Sequence, residues 1–402
     1  MLRIRIGGTS VVQDRLWTRD FLLADFTGFL VFGSFYYLMS TLQYYVIGLG
    51  GNVAEVGLVQ GVFVIVAVLL RPMVGNLLDN RGRRRFLLLG IAIIVASFLI
   101  YPLVPQIWWV LAVRVLHGVG WAFVTTAVST LVADVVPPAR RGEAMGFYSN
   151  FMDVAMGAGP FIGVLLLQFG GYRAVFIGAA VTLLPALGTA GAVRERYQPP
   201  PAPVKRPLLS RPALLPGLVM ITASIGYGTV VTFIPTLAAA RHITGTFLGV
   251  EQYAFFYIAY AVTLILTRGP WGRLSDRHGR QAAIIPGLLL MAAGTFTLAL
   301  ARSFSLLVLA GIIYAGGFGS AQPAIMAWTV DCAGRQAWGA AMATFFVAFD
   351  GGIGIGSLVM GTLIQHYSYT LAFSAASVLA LAGFAIYLAG RTGRLPDTSA
   401  AP

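Results

Sequence analysis

Apolar segments of about 20 residues, separated by short polar or Pro- and Gly-containing breaks, recur along the whole chain. A run of that length lets an α-helix cross the hydrocarbon core of a bilayer. The pattern predicts twelve membrane-spanning helices over residues 20–47, 53–78, 86–104, 107–133, 143–168, 173–193, 213–239, 247–272, 282–301, 304–330, 338–365 and 369–390. We therefore expect an all-α membrane protein.

The long polar interruption RERYQPPPAPVKRPLLSRP, at 194–212, divides these helices into two groups of six. Its prolines and basic residues do not form a packed element, so it predicts a cytoplasmic linker. The expected organisation is an N-terminal six-helix bundle at 1–193 and a C-terminal six-helix bundle at 213–402.

The composition agrees with a chain that lies mostly in lipid. Of the 402 residues, 58% are hydrophobic and 10% are charged, whereas a soluble domain carries about 25% charged residues. The single cysteine, Cys332, excludes an intrachain disulfide and a cysteine zinc cluster. We find no Walker A lysine loop, HExxH or GxSxG signature. The sequence therefore favours a protein that is not an enzyme and that uses no cofactor or metal.

The basic residues indicate the orientation in the membrane. With the N-terminus in the cytoplasm, 21 arginines and lysines fall in cytoplasmic segments, and three fall on the opposite side, at Arg173, Arg241 and Arg302. The positive-inside rule then predicts a multi-pass protein of the cell membrane with both termini in the cytoplasm. The net charge of +13 follows from this topology, with anionic lipid rather than nucleic acid as the expected partner.

The two halves repeat each other at an offset of 197 residues. GNLLDNRGRR at 75–84 superimposes on GRLSDRHGRQ at 272–281 without a gap. The same shift aligns charged residues in pairs: Arg71 with Arg268, Asp79 with Asp276, Arg83 with Arg280, Asp134 with Asp331, and Asp153 with Asp350. Two six-span halves with parallel topology are typical of transporters that rock one half against the other.

Three motifs resemble those of the major facilitator superfamily, and the resemblance covers nearly the whole chain. The loop G-x-L-x-D-x-x-G-R-R at 75–84 matches the family signature between spans 2 and 3, and it returns at 272–280. R-x-x-H-G-x-G at 114–120 is similar to the family motif in span 4. Span 5 is similar to the antiporter motif of drug:proton exporters at Gly146, Gly159, Pro160 and Gly163, although Ala155 and Val164 replace two glycines. The resemblance implies the major facilitator fold, in the drug:proton antiporter branch.

This resemblance also implies charged contacts that tie the halves together on the cytoplasmic side. Those contacts are Asp79 with the start of span 11 near Trp338–Gly339, Asp276 with the start of span 5 near Gly142, Arg83 with Asp134, and Arg280 with Asp331. A carboxylate beside a helix start is stabilised by the helix dipole. An ordinary cytoplasmic loop, made basic by topology alone, is the alternative.

Arg71 and Arg268 lie eight residues before the loop aspartates, about 12 Å into the membrane at 1.5 Å per residue. An intramembrane arginine normally finds a partner. In the fold that the resemblance implies, span 2 packs against span 11, and span 8 against span 5, between the halves. We predict two interdomain pairs, Arg71 with Asp350 and Arg268 with Asp153. The alternative is that both acids face the cavity as separate groups.

A central substrate cavity is expected where the resemblance places spans 1, 4, 7 and 10. Each of these spans carries polar or aromatic residues on one helix face. The predicted lining is Asp25, Phe29, Phe32, Tyr36, Gln43, Arg114, His117, Trp121, Tyr227, Tyr314, Phe318 and Gln322. Such a pocket suits an amphipathic or weakly cationic small molecule through apolar burial and cation–π contact. Ordinary helix packing is the alternative for the aromatic residues.

Coupling to protons needs a group whose protonation changes with conformation, and a carboxylate in an apolar cavity is suited to that role. The candidates are Asp25, Asp153 and Asp350, with Glu251 and His117 as further titratable groups. The favoured function is proton-coupled export of small organic molecules, by a monomer that works through alternating access. A proton-driven importer or uniporter, and a membrane receptor or scaffold without transport, are the alternatives.

Overall fold

Twelve α-helices make up most of the chain that the structure describes. The computed structural model describes residues 16–137, 141–195, 197, 210–333 and 338–391, and it leaves aside the side chains of Asp79, Gly146, Asp153, Arg391 and residues 141–143 and 338–340. The helices are α1 (Arg19–Met39), α2 (Leu42–Gly48), α3 (Val53–Arg81), α4 (Arg84–Ile100), α5 (Ile107–Val135), α6 (Arg141–Ala192), α7 (Leu214–Ala240), α8 (Ala254–His278), α9 (Gln281–Leu300), α10 (Phe304–Ala333), α11 (Trp338–His366) and α12 (Tyr369–Arg391). Short 3-10 turns lie at Tyr101–Leu103 and Arg211–Ala213, and a two-stranded antiparallel ribbon joins β1 (Thr246–Phe247) to β2 (Val250–Glu251).

Local sequence signals begin and end several of these helices. The Thr18 hydroxyl caps α1 by accepting a hydrogen bond from the backbone N–H of Phe21 at 3.2 Å. Asn52 and Glu55 form a capping box at the start of α3, in which each side chain accepts from the other residue's backbone N–H. Gly82 ends α3 with a φ of 92°, a conformation that residues with a side chain rarely adopt.

Within the described residues, ten helical segments are long and apolar enough to cross a membrane. One of them, Phe147–Ala192, has 46 residues, more than twice the roughly 20 that a bilayer core requires. It turns at Gly171, where φ is 65°, between the two spans expected at 143–168 and 173–193. Helix α8 has 25 residues but is not among the ten, because Arg268-Gly269-Pro270 interrupts its apolar run.

Two predicted span boundaries differ from the structure. The span expected at 20–47 is two helices, because α1 ends at Met39 and α2 begins at Leu42. The span expected at 247–272 begins later, at Ala254, because the ribbon occupies residues 246–251. Leu248 and Gly249 turn the ribbon with φ of 53° and 78°, the positive values that a tight two-residue hairpin turn requires.

The helices pack in two sets with matching contacts, which we call the N-terminal half (α1–α6) and the C-terminal half (α7–α12). In the N-terminal half α1 packs on α6, α3 on α5, and α4 on both α5 and α6. In the C-terminal half α7 packs on α11, α8 on α10, and α9 on both α10 and α12. The two sets of contacts are equivalent. Helix α6 contains two of the predicted spans and therefore corresponds to both α11 and α12.

The helix directions give the molecule two ends. The proximal end contains Arg19, Ala192 and Leu214, and the distal end contains α2 and the ribbon. Between the ends, large apolar side chains point outward. Leu69, Met73 and Leu266 are each 68% exposed, as expected for a surface that faces lipid rather than water.

Candidate functional site

The halves meet along two helix pairs, α3 with α11 and α6 with α8, which together we call the seam. Glycine allows the close approach in both pairs. A Cβ atom on Gly57 of α3 would lie 2.3 Å from the carbonyl oxygen of Ser357 on α11. A Cβ atom on Gly157 of α6 would lie 1.9 Å from Cβ of Ala261 on α8. Any side chain at these positions would push the halves apart. The seam consists of the span pairs expected at the interface.

Arg71 and Asp350 form an ion pair across the seam. The Nη1 atom of Arg71 lies 2.5 Å from Oδ2 of Asp350, and the two side chains are 14% and 16% exposed. Arg71 also donates from Nη2 to the hydroxyl of Thr125 at 3.3 Å, and its guanidinium lies 5.5 Å from the ring centroid of Phe346. The contact predicted between Arg71 and Asp350 is therefore present.

Arg268 is the equivalent of Arg71 in the C-terminal half, and the structure describes part of its surroundings. Arg268 of α8 donates from Nη2 to Oε1 of Gln322 on α10 at 3.1 Å. Thr125 and Gln322 are 197 residues apart, so each arginine bonds the equivalent helix of its own half. The side chain of Asp153 lies outside the described residues, and its pairing with Arg268 stays a prediction.

Ion pairs also hold the two copies of the signature loop at the proximal end. Arg83 Nε donates to Asp134 Oδ2 at 2.9 Å, and Arg280 Nε donates to Asp331 Oδ2 at 2.8 Å. Both contacts are those expected. Arg280 also donates to Asp276 at 2.7 Å. The hydrogen bond to Asp331, reinforced by Asp276, raises the pKa of Arg280 against the opposing effect of partial burial.

For the other contacts expected of the two loops, the structure describes at most one of the two partners. Asp276 is 72% exposed where it pairs with Arg280. The side chains of Asp79, of Trp338–Gly339 and of Gly142 lie outside the described residues, so the expected contacts of Asp79 and Asp276 with helix starts stay predictions.

At the distal end, polar side chains of one half bond the backbone of the other. The Tyr44 hydroxyl donates to the carbonyl oxygen of Pro235 at 2.8 Å. Gln168 Nε2 donates to the carbonyl oxygen of Gly249 in the ribbon turn at 2.6 Å. The backbone N–H of Val53 donates to Oε1 of Gln365 at 3.2 Å. The halves are thus closed against each other at this end.

An aromatic cluster joins the halves between the two seam pairs. The hydroxyl oxygens of Tyr36 on α1 and Tyr227 on α7 lie 3.4 Å apart. The Tyr227 ring stacks on Phe318 with centroids 4.6 Å apart and on Phe349 at 5.9 Å. The Tyr227 hydroxyl also contacts Met156 Sδ at 2.8 Å. Tyr36, Tyr227 and Phe318 were expected to lie together.

Phe349 and Met156 were missed from the predicted lining because they lie on the seam helices α11 and α6 rather than on the four spans expected to line the cavity. A usable signal was their position in the repeat, since each lies close to Asp350 or Asp153 in sequence. The other predicted aromatics of the N-terminal half pack beside the cluster: Phe32 and Trp121 meet edge to face at 4.9 Å, and Phe29 is half-buried.

Arg114 does not face the space between the halves, contrary to expectation. It is fully buried inside the N-terminal half. Its Nε donates to the carbonyl oxygen of Val59 at 3.2 Å, its Nη2 donates to Oε1 of Gln60, and its guanidinium lies 4.4 Å above the ring of Phe63. All three partners belong to α3, so the polar stripe of α5 turns towards its neighbour helix, which supplies the acceptors.

His117 and Tyr314 are likewise enclosed within single halves rather than exposed to a cavity. His117 is fully buried, its ring centroid lies 5.1 Å from those of Phe63 and Phe98, and Nδ1 lies 3.4 Å from the Tyr101 hydroxyl. Tyr314 is fully buried against α9, where a Cβ on Gly294 would lie 2.6 Å from its own Cβ. Aromatic neighbours on both sides make these two positions parts of the helix packing.

The described residues of the antiporter-like motif pack α6 against α1. A Cβ on Gly159 would lie 2.4 Å from Cβ of Tyr36, and a Cβ on Gly163 would lie 2.4 Å from the carbonyl oxygen of Tyr37. The Pro160 carbonyl oxygen accepts a hydrogen bond from the Ser40 hydroxyl at 2.9 Å. The contacts of Gly146 lie outside what the structure describes. These small residues set the distance between α6 and the helix that carries Tyr36.

Asp25 is the most enclosed of the described candidate acids. It is 1% exposed on α1, and neither carboxylate oxygen has a hydrogen-bond partner among the described residues. The ring of Tyr148 on α6 packs against the same helix, 2.8 Å from where a Cβ atom on Gly28 would lie. Asp25 is therefore a buried acid within the N-terminal half.

In the part of the chain that the structure describes, ten membrane-length segments lie in two like halves, which an ion-paired seam and a shared aromatic cluster join. These features define a multi-pass membrane protein of the transporter class. The model of the Major Facilitator Superfamily matches residues 24–257 and 216–401. The chain belongs to the Major Facilitator Superfamily.

Similar proteins of known sequence include transporters named for drug resistance. The chain is 31% identical over 296 residues to the multidrug resistance protein MdtG of Citrobacter koseri, covering 68% of this chain and 70% of that protein. It is 25% identical over 332 residues to an uncharacterised MFS-type transporter of Methanocaldococcus jannaschii, covering 78% and 83%. It is 31% identical to the multi-drug resistance efflux pump PmrA of Streptococcus pneumoniae, over 46% of this chain and 47% of the pump. The chain thus resembles the multidrug branch of its family.

Solved structures share the fold at low sequence identity. A peptide transporter of the POT family gives a TM-score of 0.76 at 14% identity, covering 96% of this chain and 99% of that chain. The human organic anion transporter MFSD10 gives a TM-score of 0.69 at 17% identity, covering 92% and 98%. These likenesses establish the major facilitator fold.

Proposed function

We propose that this chain exports small organic molecules by alternating access, in exchange for protons. The family supports transport, and the relatives named as multidrug resistance proteins and efflux pumps support export of drug-like molecules. The observation that carries the proposal is the seam, where Arg71 and Asp350 join two like halves beside an aromatic cluster to which both halves contribute.

The topology proposed for this transporter has twelve spans in the cell membrane. The turn at Gly171 divides the α6 segment into two spans, which brings the ten segments to eleven spans. Helix α8, whose apolar run is interrupted by Arg268 and Pro270, is the twelfth span. The proximal end, with both termini and the linker at 194–212, lies in the cytoplasm, where the excess of basic residues belongs. The distal end faces outward. The chain works as a monomer, with the bundles at 1–193 and 213–402 as its moving parts.

The cargo that fits this site is amphipathic and weakly cationic. Tyr227 and Phe318 present stacked rings between the halves, and Tyr36 and Tyr227 present hydroxyl groups. Aromatic faces bind cations and apolar groups without a fixed pattern of hydrogen bonds, which suits cargo of varied shape. Arg71 and Asp350 neutralise each other in their ion pair, so that this part of the seam adds little net charge beside the cluster.

Asp25 is the proposed proton carrier. A carboxylate taken out of water without a hydrogen-bond partner is favoured in its neutral form, and the charged form is favoured again when water reaches it. Its burial and the absence of a partner among the described residues support this role. Movement of the halves would expose Asp25 to one side of the membrane at a time.

The charged pairs of the repeat are proposed to set which end is open. Removing one partner of a buried pair leaves an uncompensated charge, so protonating Asp350 would loosen the seam at Arg71. We propose the equivalent role for Arg268 with Asp153, and a closing role at the cytoplasmic end for Asp79, Arg83, Asp134, Asp276, Arg280 and Asp331.

Transport in proteoliposomes under an imposed pH gradient tests these roles. The assay compares the unmodified protein with Asp25→Asn, Asp350→Asn and Glu251→Gln, using a fluorescent lipophilic cation as cargo. Glu251 lies in β2, outside the helices, and serves as the matched control acid. We expect the gradient to drive accumulation in the unmodified protein and in Glu251→Gln, and to have no effect on residual flux in Asp25→Asn.

Exchange of labelled for unlabelled cargo, without a gradient, distinguishes loss of coupling from loss of transport. Asp25→Asn is expected to retain exchange, since only the proton carrier is removed, whereas Asp350→Asn is expected to slow both activities by unpairing Arg71. Flux that ignores the gradient in the unmodified protein would identify a uniporter, and accumulation with protons moving in the same direction as the cargo would identify an importer.

A further inference from the structure

A small buried cavity lies in the distal part of the molecule, between the two halves. Its volume is about 10 Å³, and its walls include Met39, Gln43, Gln60 and Thr232. Gln43 and Gln60 belong to α2 and α3 of the N-terminal half, and Thr232 belongs to α7 of the C-terminal half. All four residues are buried, with exposures of 3% to 6%. The remaining walls are apolar side chains, so this is a polar spot within an otherwise apolar contact.

The side chain of Gln60 can be oriented only one way. A guanidinium group donates hydrogen bonds and accepts none, so Arg114 must meet the carbonyl oxygen of the Gln60 amide. The amide nitrogen of Gln60 therefore points away from Arg114, and it has no hydrogen-bond partner among the described residues. Arg114, buried inside the N-terminal half, thereby acts as a positioning residue for a donor on the wall of the cavity.

Gln43 supplies a second donor of the same kind. Its Nε2 is also buried without a hydrogen-bond partner among the described residues. Across the cavity, the Thr232 hydroxyl shares a hydrogen bond of 2.9 Å with Ser357 of α11 and keeps a lone pair for another donor. A buried amide donor without an acceptor is unfavourable, because it has lost its hydrogen bonds to water and gained none in return. The walls therefore call for a ligand that accepts twice and donates once.

We infer that this cavity is a binding site for a single ordered water molecule that bridges the halves. A cavity needs about 10–15 Å³ to hold one water, and a buried water makes about three hydrogen bonds. The volume of about 10 Å³ admits one water and no larger ligand. The water accepts from Gln43 and Gln60 and donates to Thr232, which satisfies each of the three polar walls.

This water makes the distal contact reversible. A contact sealed only by direct hydrogen bonds must match atom to atom each time it closes, whereas a water adjusts its position and serves as a bridge of comparable strength. When the distal ends separate, Gln43, Gln60 and Thr232 exchange one bound water for bulk water and lose no hydrogen bond. The bridging water acts in closure of the distal end, whether or not the cargo moves against protons.

X-ray hydroxyl-radical footprinting tests the site directly, because radicals form from the water itself and label the nearest side chains. Met39 lines the cavity and is 6% exposed, and Met291 in α9 is 1% exposed and remote from the cavity. In the unmodified full-length protein we expect Met39 to be oxidised several-fold faster than Met291. Equal rates for the two methionines would overturn the proposal.

Two variants separate a held water from general access of solvent. Gln43→Leu removes one donor and fills space, and Thr232→Val removes the acceptor on the other half. Both are expected to lower Met39 oxidation to the rate of Met291. The control Thr236→Val deletes a hydroxyl of the same helix that does not line the cavity and that bonds within the C-terminal half, to the carbonyl oxygen of Phe233 at 3.1 Å and to Tyr369, and it is expected to leave Met39 oxidation unchanged. Met39 oxidation that stays high in Gln43→Leu and Thr232→Val would show that neither residue holds the water. The readout is independent of transport, so its failure and the failure of the proposed function are distinguishable.

Discussion

The loop between α3 and α4 and the loop between α8 and α9 carry the same motif, yet they are held to different degrees. In both, an arginine Nε bonds an aspartate 51 residues further along, at 2.9 Å for Arg83 with Asp134 and 2.8 Å for Arg280 with Asp331. The first pair is 6% and 19% exposed, and the second is 30% and 50% exposed. The repeat therefore reproduces the geometry of the ion pair without reproducing its burial.

The segment that follows α6 accounts for the difference. The Glu195 carboxylate accepts hydrogen bonds from the backbone N–H groups of Arg83 and Arg84 at the start of α4. The ring of Tyr197 lies 3.3 Å from the Arg83 guanidinium, and Arg84 donates to the carbonyl oxygen of Gly191. The first loop is thus covered by the start of the linker. Arg280 instead bonds Asp276 and Ser275 at the end of α8.

Removing the arginine from each loop should give the largest difference between the copies. Breaking a buried ion pair by removing one partner costs about 3–5 kcal/mol, whereas an exposed pair contributes about 0–1 kcal/mol. We expect Arg83→Ala to lower the free energy of unfolding by about 3 kcal/mol, and Arg280→Ala by less than about 1 kcal/mol. Unfolding in mixed detergent micelles, followed by tryptophan fluorescence, measures both. Similar losses in the two variants would show that burial by the linker adds nothing.

Much of the fold and part of the site could be predicted from the sequence, because charged residues and apolar segments recur in both halves of the chain. Arg71 and Asp350 were paired in advance because an arginine deep in the membrane needs a partner, and because the repeat places an acid at the same depth on the helix opposite. A charged partner can be predicted in this way wherever its depth can be counted along a regular helix.

Arg114 shows where that reasoning fails. Its partners include the neutral side chain of Gln60 and a backbone carbonyl, neither of which marks a site in the sequence. The repeat gives no help, since position 311 in the second half is glycine. Both sides of α5 are largely apolar, so periodicity does not decide which helix the polar stripe faces. The cover formed by Glu195 and Tyr197 was missed because a proline-rich segment was expected to remain unpacked.

Glu195 provides the second test of the comparison. Replacing it with alanine leaves two N–H groups at the start of α4 without their acceptor, at a cost of about 1–3 kcal/mol. We expect Glu195→Ala to destabilise the protein by this amount and to speed amide hydrogen exchange at Arg83 and Arg84. Glu195→Gln keeps one acceptor oxygen and should recover about half of the loss. Unchanged exchange at both amides in Glu195→Ala would contradict the covering role, and exchange at Arg280 serves as the internal reference.

The glycine of each loop gives a finer test, because both have a positive φ, 92° for Gly82 and 83° for Gly279. Alanine in this conformation, which essentially only glycine adopts, costs about 1–3 kcal/mol at either position. At Gly82 a new Cβ would also lie 2.9 Å from the Glu195 carboxylate, and at Gly279 nothing lies within 4 Å. We expect Gly82→Ala to be the more destabilising in the same unfolding assay. In the Glu195→Ala background the two glycine variants should become equal, and a difference that persists would place its origin elsewhere.

Tyr197 tests the weakest part of the cover. A guanidinium over an aromatic face contributes about 0.5–1 kcal/mol at a partly exposed site, and Arg83 keeps its bonds to Asp134 and to the Leu78 carbonyl when the ring is lost. We expect Tyr197→Leu to lower the free energy of unfolding by about 0.5–1 kcal/mol and Tyr197→Phe to have no effect, because phenylalanine keeps the aromatic face. A loss in Tyr197→Phe equal to that in Tyr197→Leu would assign the contribution to the hydroxyl. If neither variant changes stability, Glu195 alone accounts for the difference between the two loops.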